Sequence, residues 1–209
     1  GFTPNPADPG KTISEISDLV AAVQCHPRAL VLLAPEIHRW GVRATIANIQ
    51  EIITGLTRKH PGNTENYLFA SIELLLRRLP QEMREKITRL GVFQDGADIF
   101  LLAHVLAMNP ETSEQFVRAL IEAGLAEKIG YEYYRFDPAL VKYLYDQMTE
   151  PEREEARVLW AEIIEGLVKI LYQQIFENSN IAFHLALIEL ELPNILSWLD
   201  WIKDKKPPE

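Results

Sequence analysis

A single cysteine in 209 residues, Cys25, excludes an internal disulfide framework and any Cys-rich zinc site. Positive charge is scarce. The chain carries 21 Lys and Arg against 30 Asp and Glu, a net charge of -9. That balance weighs against a broad nucleic-acid or anionic-membrane surface. No apolar run is long enough to predict a membrane span. There is no G-x-x-x-x-G-K-S/T loop to cradle phosphates, and no acidic metal-binding strand after an apolar run. The chain is therefore not expected to hydrolyse ATP. His38, His60, His104 and His184 show no ligand spacing, no carboxylate pair stands out, and Cys25 has no base near it in sequence. An enzyme is the last-placed reading, kept only because sites can be assembled from distant residues. Gly1 stands first and no signal-peptide pattern follows, so a cytoplasmic piece of a larger protein is expected.

What is present is globular. Apolar residues make up 47% and charged residues 24%, ordinary values for a folded chain of one or two domains. Residues 1–11 are rich in Pro and Gly and read as a flexible leader. Ile13, Ile16, Leu19, Val20 and Val23 then recur at helical spacing. Pro27 suits the first turn of a helix to Trp40, which Pro35 should kink or shorten. Thr45 caps a helix with Ile46, Ile49, Ile52, Ile53 and Leu56 on one face. His60–Asn63 is a turn. These elements form a predicted helical domain over 12–62.

The next predicted unit spans 64–148. Thr64 opens a helix striped by Leu68, Ile72, Leu75 and Leu79, and Pro80 starts another with Met83, Ile87 and Leu90 inward. Phe93–Gly96 reads as a loop and 97–107 as a helix, in which His104 is a core histidine. Asn109-Pro110 breaks the chain before a helix over 111–123, closed by Gly124. Residues 125–136 are aromatic and β-branched with one glycine, the pattern of a short hairpin. Ile129, Tyr131, Tyr133 and Phe136 should cover the core. Asp137-Pro138 caps a helix to Gln147. A region over 149–203 follows, read as a long helix to Asn178, a second from Asn180 to Leu190 and a third from Pro193 to Lys203, like the start of a tetratricopeptide-type array. Residues 204–209 read as a frayed tail. Trp160, Trp198 and Trp201 should fill the core between these helices. The fold class expected is mainly α: a helical bundle, a winged-helix domain with one small β-hairpin, then antiparallel helical hairpins.

Helices followed by a glycine and an aromatic hairpin are the sequence form of a winged helix, which often reads DNA with the helix before the wing. Here that helix carries Glu111, Glu114, Arg118 and Glu122, and 80–148 holds seven bases against eleven acids. Phosphate binding needs clustered Lys and Arg, so nucleic acid is disfavoured as a partner on charge. A DNA-binding transcription regulator remains the alternative.

Several motifs stand in order. Leu79-Pro80-Gln81-Glu82, then Leu90-Gly91-Val92-Phe93-Gln94-Asp95-Gly96-Ala97, then Leu120-Ile121-Glu122-Ala123-Gly124-Leu125 and Tyr134-Arg135-Phe136 resemble the winged-helix region of the signal-transducing AP-ATPases, the STAND class that includes NB-ARC proteins. Cys25-His26-Pro27-Arg28-Ala29-Leu30 resembles that family's G-x-P motif. Glu191-Leu192-Pro193-Asn194-Ile195-Leu196-Ser197-Trp198-Leu199-Asp200-Trp201 resembles the E-x-x-N-L-x-x-A-L-x-W stretch leading into bacterial tetratricopeptide arrays.

The resemblance implies a non-catalytic regulatory module. It would close over ADP held by an upstream P-loop ATPase domain, and exchange to ATP would swing it away and permit oligomer assembly. It implies no cofactor in this chain alone, ADP or ATP with the upstream domain, and downstream helical repeats as a further partner. Pro27 would pack on adenine, with His26 beside it, and Asp137 stands where the family often has a phosphate-reaching histidine. The chain departs from the pattern at Cys25, in place of the glycine, and at Asp137, whose carboxylate would repel a phosphate. Read without the resemblance, Pro27 starts a helix, His26 caps or is exposed, and Asp137 is a helix N-cap.

Overall fold

The computed structural model describes residues 9–177 and 180–205, which fold into ten α-helices, one 3-10 segment and three short strands. The first eight residues of the expected leader, positions 178–179 and the tail from 206 lie outside the described residues. The chain divides into two compact units, 1–80 and 81–209.

The first unit holds α1 (Pro9–Ala22), α2 (Pro27–Trp40), α3 (Val42–Lys59) and α4 (Asn66–Leu76). α1 begins inside the expected leader, because proline is tolerated in a first helical turn. Its stripe buries Leu19 and Val23 but leaves Ile13 and Ile16 exposed. Pro35 does not end α2. Ala29, Leu32, Leu33 and Glu36 are buried on either side of it, and that packing carries the helix through to Trp40. Glu36 is ion-paired with Arg78, as a buried carboxylate requires. By sequence pattern, 64–80 group with the wing. In the structure α4 packs instead against α2 and α3. Nine of its eleven residues are buried, and a helix apolar on every side belongs in the middle of a bundle.

The second unit begins with α5 (Gln81–Lys86) and a 3-10 segment (Ile87–Val92), with Met83, Ile87 and Leu90 buried as expected. Then come β1 (Gly96–Asp98), α6 (Ile99–Val105), α7 (Pro110–Glu122), β2 (Ala126–Gly130), β3 (Tyr133–Phe136) and α8 (Pro138–Gln147). The three strands form one antiparallel sheet in the order β1-β3-β2. The expected hairpin is thus present and gains a third strand where a loop and helix start were predicted. Gly96-Ala97-Asp98 is too short to display alternation and has no β-branched residue.

Tyr131 and Glu132 have φ of 49° and 55°, the two-residue hairpin turn whose twist matches its strands. Tyr131 is therefore at the tip and exposed, as is Ile129, while Tyr133, Tyr134 and Phe136 are buried. This corrects the expectation that Ile129 and Tyr131 cover the core. Asn109 caps α7 by accepting from the Thr112 N–H at 2.8 Å, and Gly124 takes the left-handed exit at φ 71°. His104 is exposed, with Nδ1 2.6 Å from the Phe100 carbonyl, and is not the core histidine expected.

Two long helices complete the unit, α9 (Glu150–Phe176) and α10 (Ile181–Lys205). A capping box of Thr149 and Glu152 opens α9. Trp160 is buried, whereas Trp198 and Trp201 are half-buried. The two expected helices over 180–190 and 193–203 are a single helix with Pro193 inside it. Proline there removes one helical donor, but buried hydrogen bonds from the residues around it fix the direction of the helix. α10 is long and apolar enough, by length and composition, to cross a membrane, with a mean hydropathy of 1.2 over its most apolar 18 residues. It carries two fully buried polar side chains that face protein.

Candidate functional site

Those side chains are Glu191 and Asn194, three residues apart and so on one face of α10. Both are fully buried. β1 is an edge strand, and an edge strand presents unpaired N–H and C=O groups. α10 satisfies them with side chains. The Asp98 N–H donates to Glu191 Oε1 at 2.8 Å. Asn194 Nδ2 donates to the Gly96 carbonyl at 2.8 Å and to Glu191 Oε2 at 2.7 Å. The Gln94 N–H donates to Asn194 Oδ1 at 2.8 Å. Glu191 and Asn194 thus grip the strand and the turn before it. Asp98 takes part at both ends: its own carboxylate caps α6, accepting from the N–H groups of Phe100 and Leu101 at 2.8 and 3.0 Å.

The charge in this joint is costly. Burial pushes the Glu191 carboxyl up to about 7, against the opposing pull of its bonds from Asn194 and the Asp98 N–H, and the Asp98 charge pushes the same way. Burial also raises Asp98, offset by its two capping N–H bonds. The buried Tyr133 hydroxyl has no hydrogen-bond partner and is raised by burial, then by Glu191.

A pH dependence follows. Below about pH 4.3 Glu191 is neutral in both the folded and the unfolded chain. As pH rises towards the folded value the unfolded chain releases its proton first, so stability falls. Once pH has passed about 7 the loss is complete, at about 3 kcal/mol. Ordinary surface carboxylates give the opposite trend in acid, so the stability difference between the native chain and Glu191→Gln isolates the effect. Urea titrations should show that difference shrinking by about 3 kcal/mol between about pH 4.5 and 8. A difference that stays flat contradicts the buried-carboxylate reading.

The helix and hairpin that would meet DNA in a winged helix are differently equipped. α7 exposes Glu111, Glu114 and Glu122 against Arg118 alone. On the β2–β3 hairpin, Lys128 pairs with Glu132 at 2.6 Å, and Arg135 pairs with Asp95 at 3.0 Å and Glu127 at 3.4 Å. The tip is also occupied: Tyr131 meets Phe183 of α10 edge-on, with ring centroids 5.5 Å apart. Both hairpin cations are neutralised within the chain, and the tip aromatic is held by α10.

The residues singled out for nucleotide contact are helix caps. His26 is the N-cap of α2, its Nδ1 accepting from the Ala29 N–H at 3.3 Å. Pro27 follows as the first helical residue and is exposed. Gln24 and Cys25, at φ 47° and 56°, make the turn into it. Cys25 is exposed and free. In the second unit Asp137 caps α8, accepting from the Ala139 N–H at 2.8 Å, while its own N–H donates to the Leu125 carbonyl at 2.9 Å. Its side chain is turned onto its own helix. Among the described residues no group of three His, Cys, Asp or Glu is placed to hold a metal ion.

Sequence reasoning places Glu191 and Asn194 in a motif without revealing their role. The available signal is two polar residues at helical spacing inside an apolar helix. No protein-family model matches the chain, and no curated protein matches it.

Proposed function

We propose that the chain is a non-catalytic regulatory and interaction module of a STAND-type NTPase, in which residues 81–148 form a winged helix and α9 and α10 begin a helical array. The order helix, strand, helix, helix, strand, strand, with the first strand added beside the third, supports the winged-helix reading. The observation that carries the functional reading is the grip of α10 on β1. Its two polar residues are the Glu and Asn of the E-x-x-N stretch, and through them that motif couples the array to the sheet. A joint of this kind lets a change at one element be transmitted to the other as a rigid displacement.

In this reading the nucleotide, ADP or ATP, belongs to an upstream P-loop domain, and this chain closes over it in the cytoplasm. Pro27 offers an exposed ring for adenine. His26 and Asp137 serve as caps, so the phosphate contact found in the family passes to other groups. Downstream repeats would stack on α10, and oligomerisation would follow exchange to ATP. The alternative, a DNA-binding regulator, meets the exposed acids of α7 and the paired wing cations.

Fluorescence titration with random duplex DNA at low salt separates the two. The module reading predicts no binding tighter than about 100 μM. Micromolar binding that weakens steeply with added salt overturns it in favour of the DNA reading.

A further inference from the structure

A cavity of about 550 Å3 opens in the second unit between the Phe93–Asp95 turn, α8, α9 and α10. That volume is in the range of small-molecule sites. Its walls combine apolar residues, among them Val92 and Val141, with polar ones that include Asp95, Lys142, Tyr145, Arg157 and Ser197.

One charged group on the wall is not paired with an opposite charge. Arg157 has no carboxylate partner among the described residues. Its guanidinium reaches the Tyr145 hydroxyl at 3.4 Å and stands 5.9 Å from the centre of that ring. Trp160 is buried, and its indole N–H has no acceptor. That N–H has almost no accessible surface, so it lies behind the wall and only the ring of Trp160 lines the cavity. The other charges on the wall are engaged. Asp95 is held by Arg135 at 3.0 Å, and Lys142 pairs with Asp146 at 3.5 Å. The wall is left with one uncompensated cation, in a chain whose net charge is -9.

We propose that this cavity binds a small organic anion, a carboxylate or a phosphate ester with an apolar body. Arg157 holds the anionic head through its paired N–H donors, a geometry suited to carboxylate and phosphate oxygens alike. The apolar walls, with the Trp160 ring among them, take the body of the ligand. Ser197 belongs to α10, and Gln94 at the cavity edge is bonded to Asn194, so an occupant touches both sides of the joint. Binding by this chain does not depend on whether it serves a nucleotide switch.

The test is calorimetric titration of the whole chain, near neutral pH, with phenylacetate, phenyl phosphate and neutral phenylacetamide. At least one anion should bind with a Kd below about 1 mM. The neutral amide, and either anion with Arg157→Gln, should bind about tenfold more weakly. Ser197→Leu, which intrudes on the cavity from α10 and leaves residue 157 unchanged, should weaken binding as well and keeps the test open if Arg157→Gln does not fold. The stronger of the two anions tells whether the head group is carboxylate or phosphate. The proposal is overturned if neither anion binds at about 10 mM, if phenylacetamide binds as well as the anions, or if a folded variant binds like the native chain.

Discussion

Replacing Asn194 with alanine is expected to destabilise the second unit by about 4 kcal/mol, a loss well above that of a typical point substitution. The single carboxamide satisfies three partners: the Gln94 N–H, the Gly96 carbonyl and the Glu191 carboxylate. The site has no exposure, so water cannot readily take its place. A buried polar group left unmade costs about 1–3 kcal/mol, more where it is charged. Asn194→Asp should cost at least as much, because it turns a carboxylate towards the Gly96 carbonyl and Glu191. Tryptophan fluorescence follows this unit alone in a Trp40→Phe background, since Trp160, Trp198 and Trp201 all lie within it. A loss below about 1 kcal/mol, the size of an ordinary solvent-replaced hydrogen bond, contradicts the account.

Gly96→Ala should be at least as severe, at about 4 kcal/mol or more, and should part β1 from β3. A Cβ at Gly96 would lie 2.3 Å from the Tyr134 carbonyl oxygen and 2.9 Å from both the Arg135 Cα and the Tyr133 Cε1. Two of those three atoms are backbone of the paired strand, which can yield only by breaking the ladder. The same residue supplies the carbonyl that Asn194 grips, so the sheet edge and the joint fail together. Gly166→Ala is the control. It lies within α9 with nothing inside 4 Å of the added carbon, and alanine there should stabilise by about 0.5–1 kcal/mol. Circular dichroism and urea unfolding of the two variants read the contrast. Equal stabilities would mean that the sheet does not need the close approach at Gly96.

The legible parts of this fold are those set by one side chain or one period. Ile49, Ile52 and Leu56 mark the inner face of α3 because a helix repeats every few residues, and all three are buried. Asn109, Gly124 and Asp137 announce helix ends because capping is local chemistry. The parts that sequence misses depend on residues far apart. β1 is three residues long and becomes a strand only because β3 lies beside it. Pro193 looks like a helix start by local rule, yet Glu191 and Asn194 are anchored to a segment about a hundred residues away, and that anchorage carries the helix through. Tyr131 counts as a strand residue by alternation, but the turn takes it.

The positions that the resemblance singles out for nucleotide contact show the same division. His26 and Asp137 are readable as caps, and they are caps. The joint itself has no local signature beyond its two polar letters, since its partners are backbone groups that carry no side-chain information.

Native-state amide hydrogen exchange at Gln94 and Asp98 tests the joint most directly. Neither N–H bonds to another strand or to a helix backbone; each is held by a side chain of α10. Both amides should be protected as strongly as those of the sheet core, and the Gln94 amide should lose that protection in Asn194→Ala. Exchange of both amides at the rate of an open loop in the native chain would show that α10 does not hold the strand.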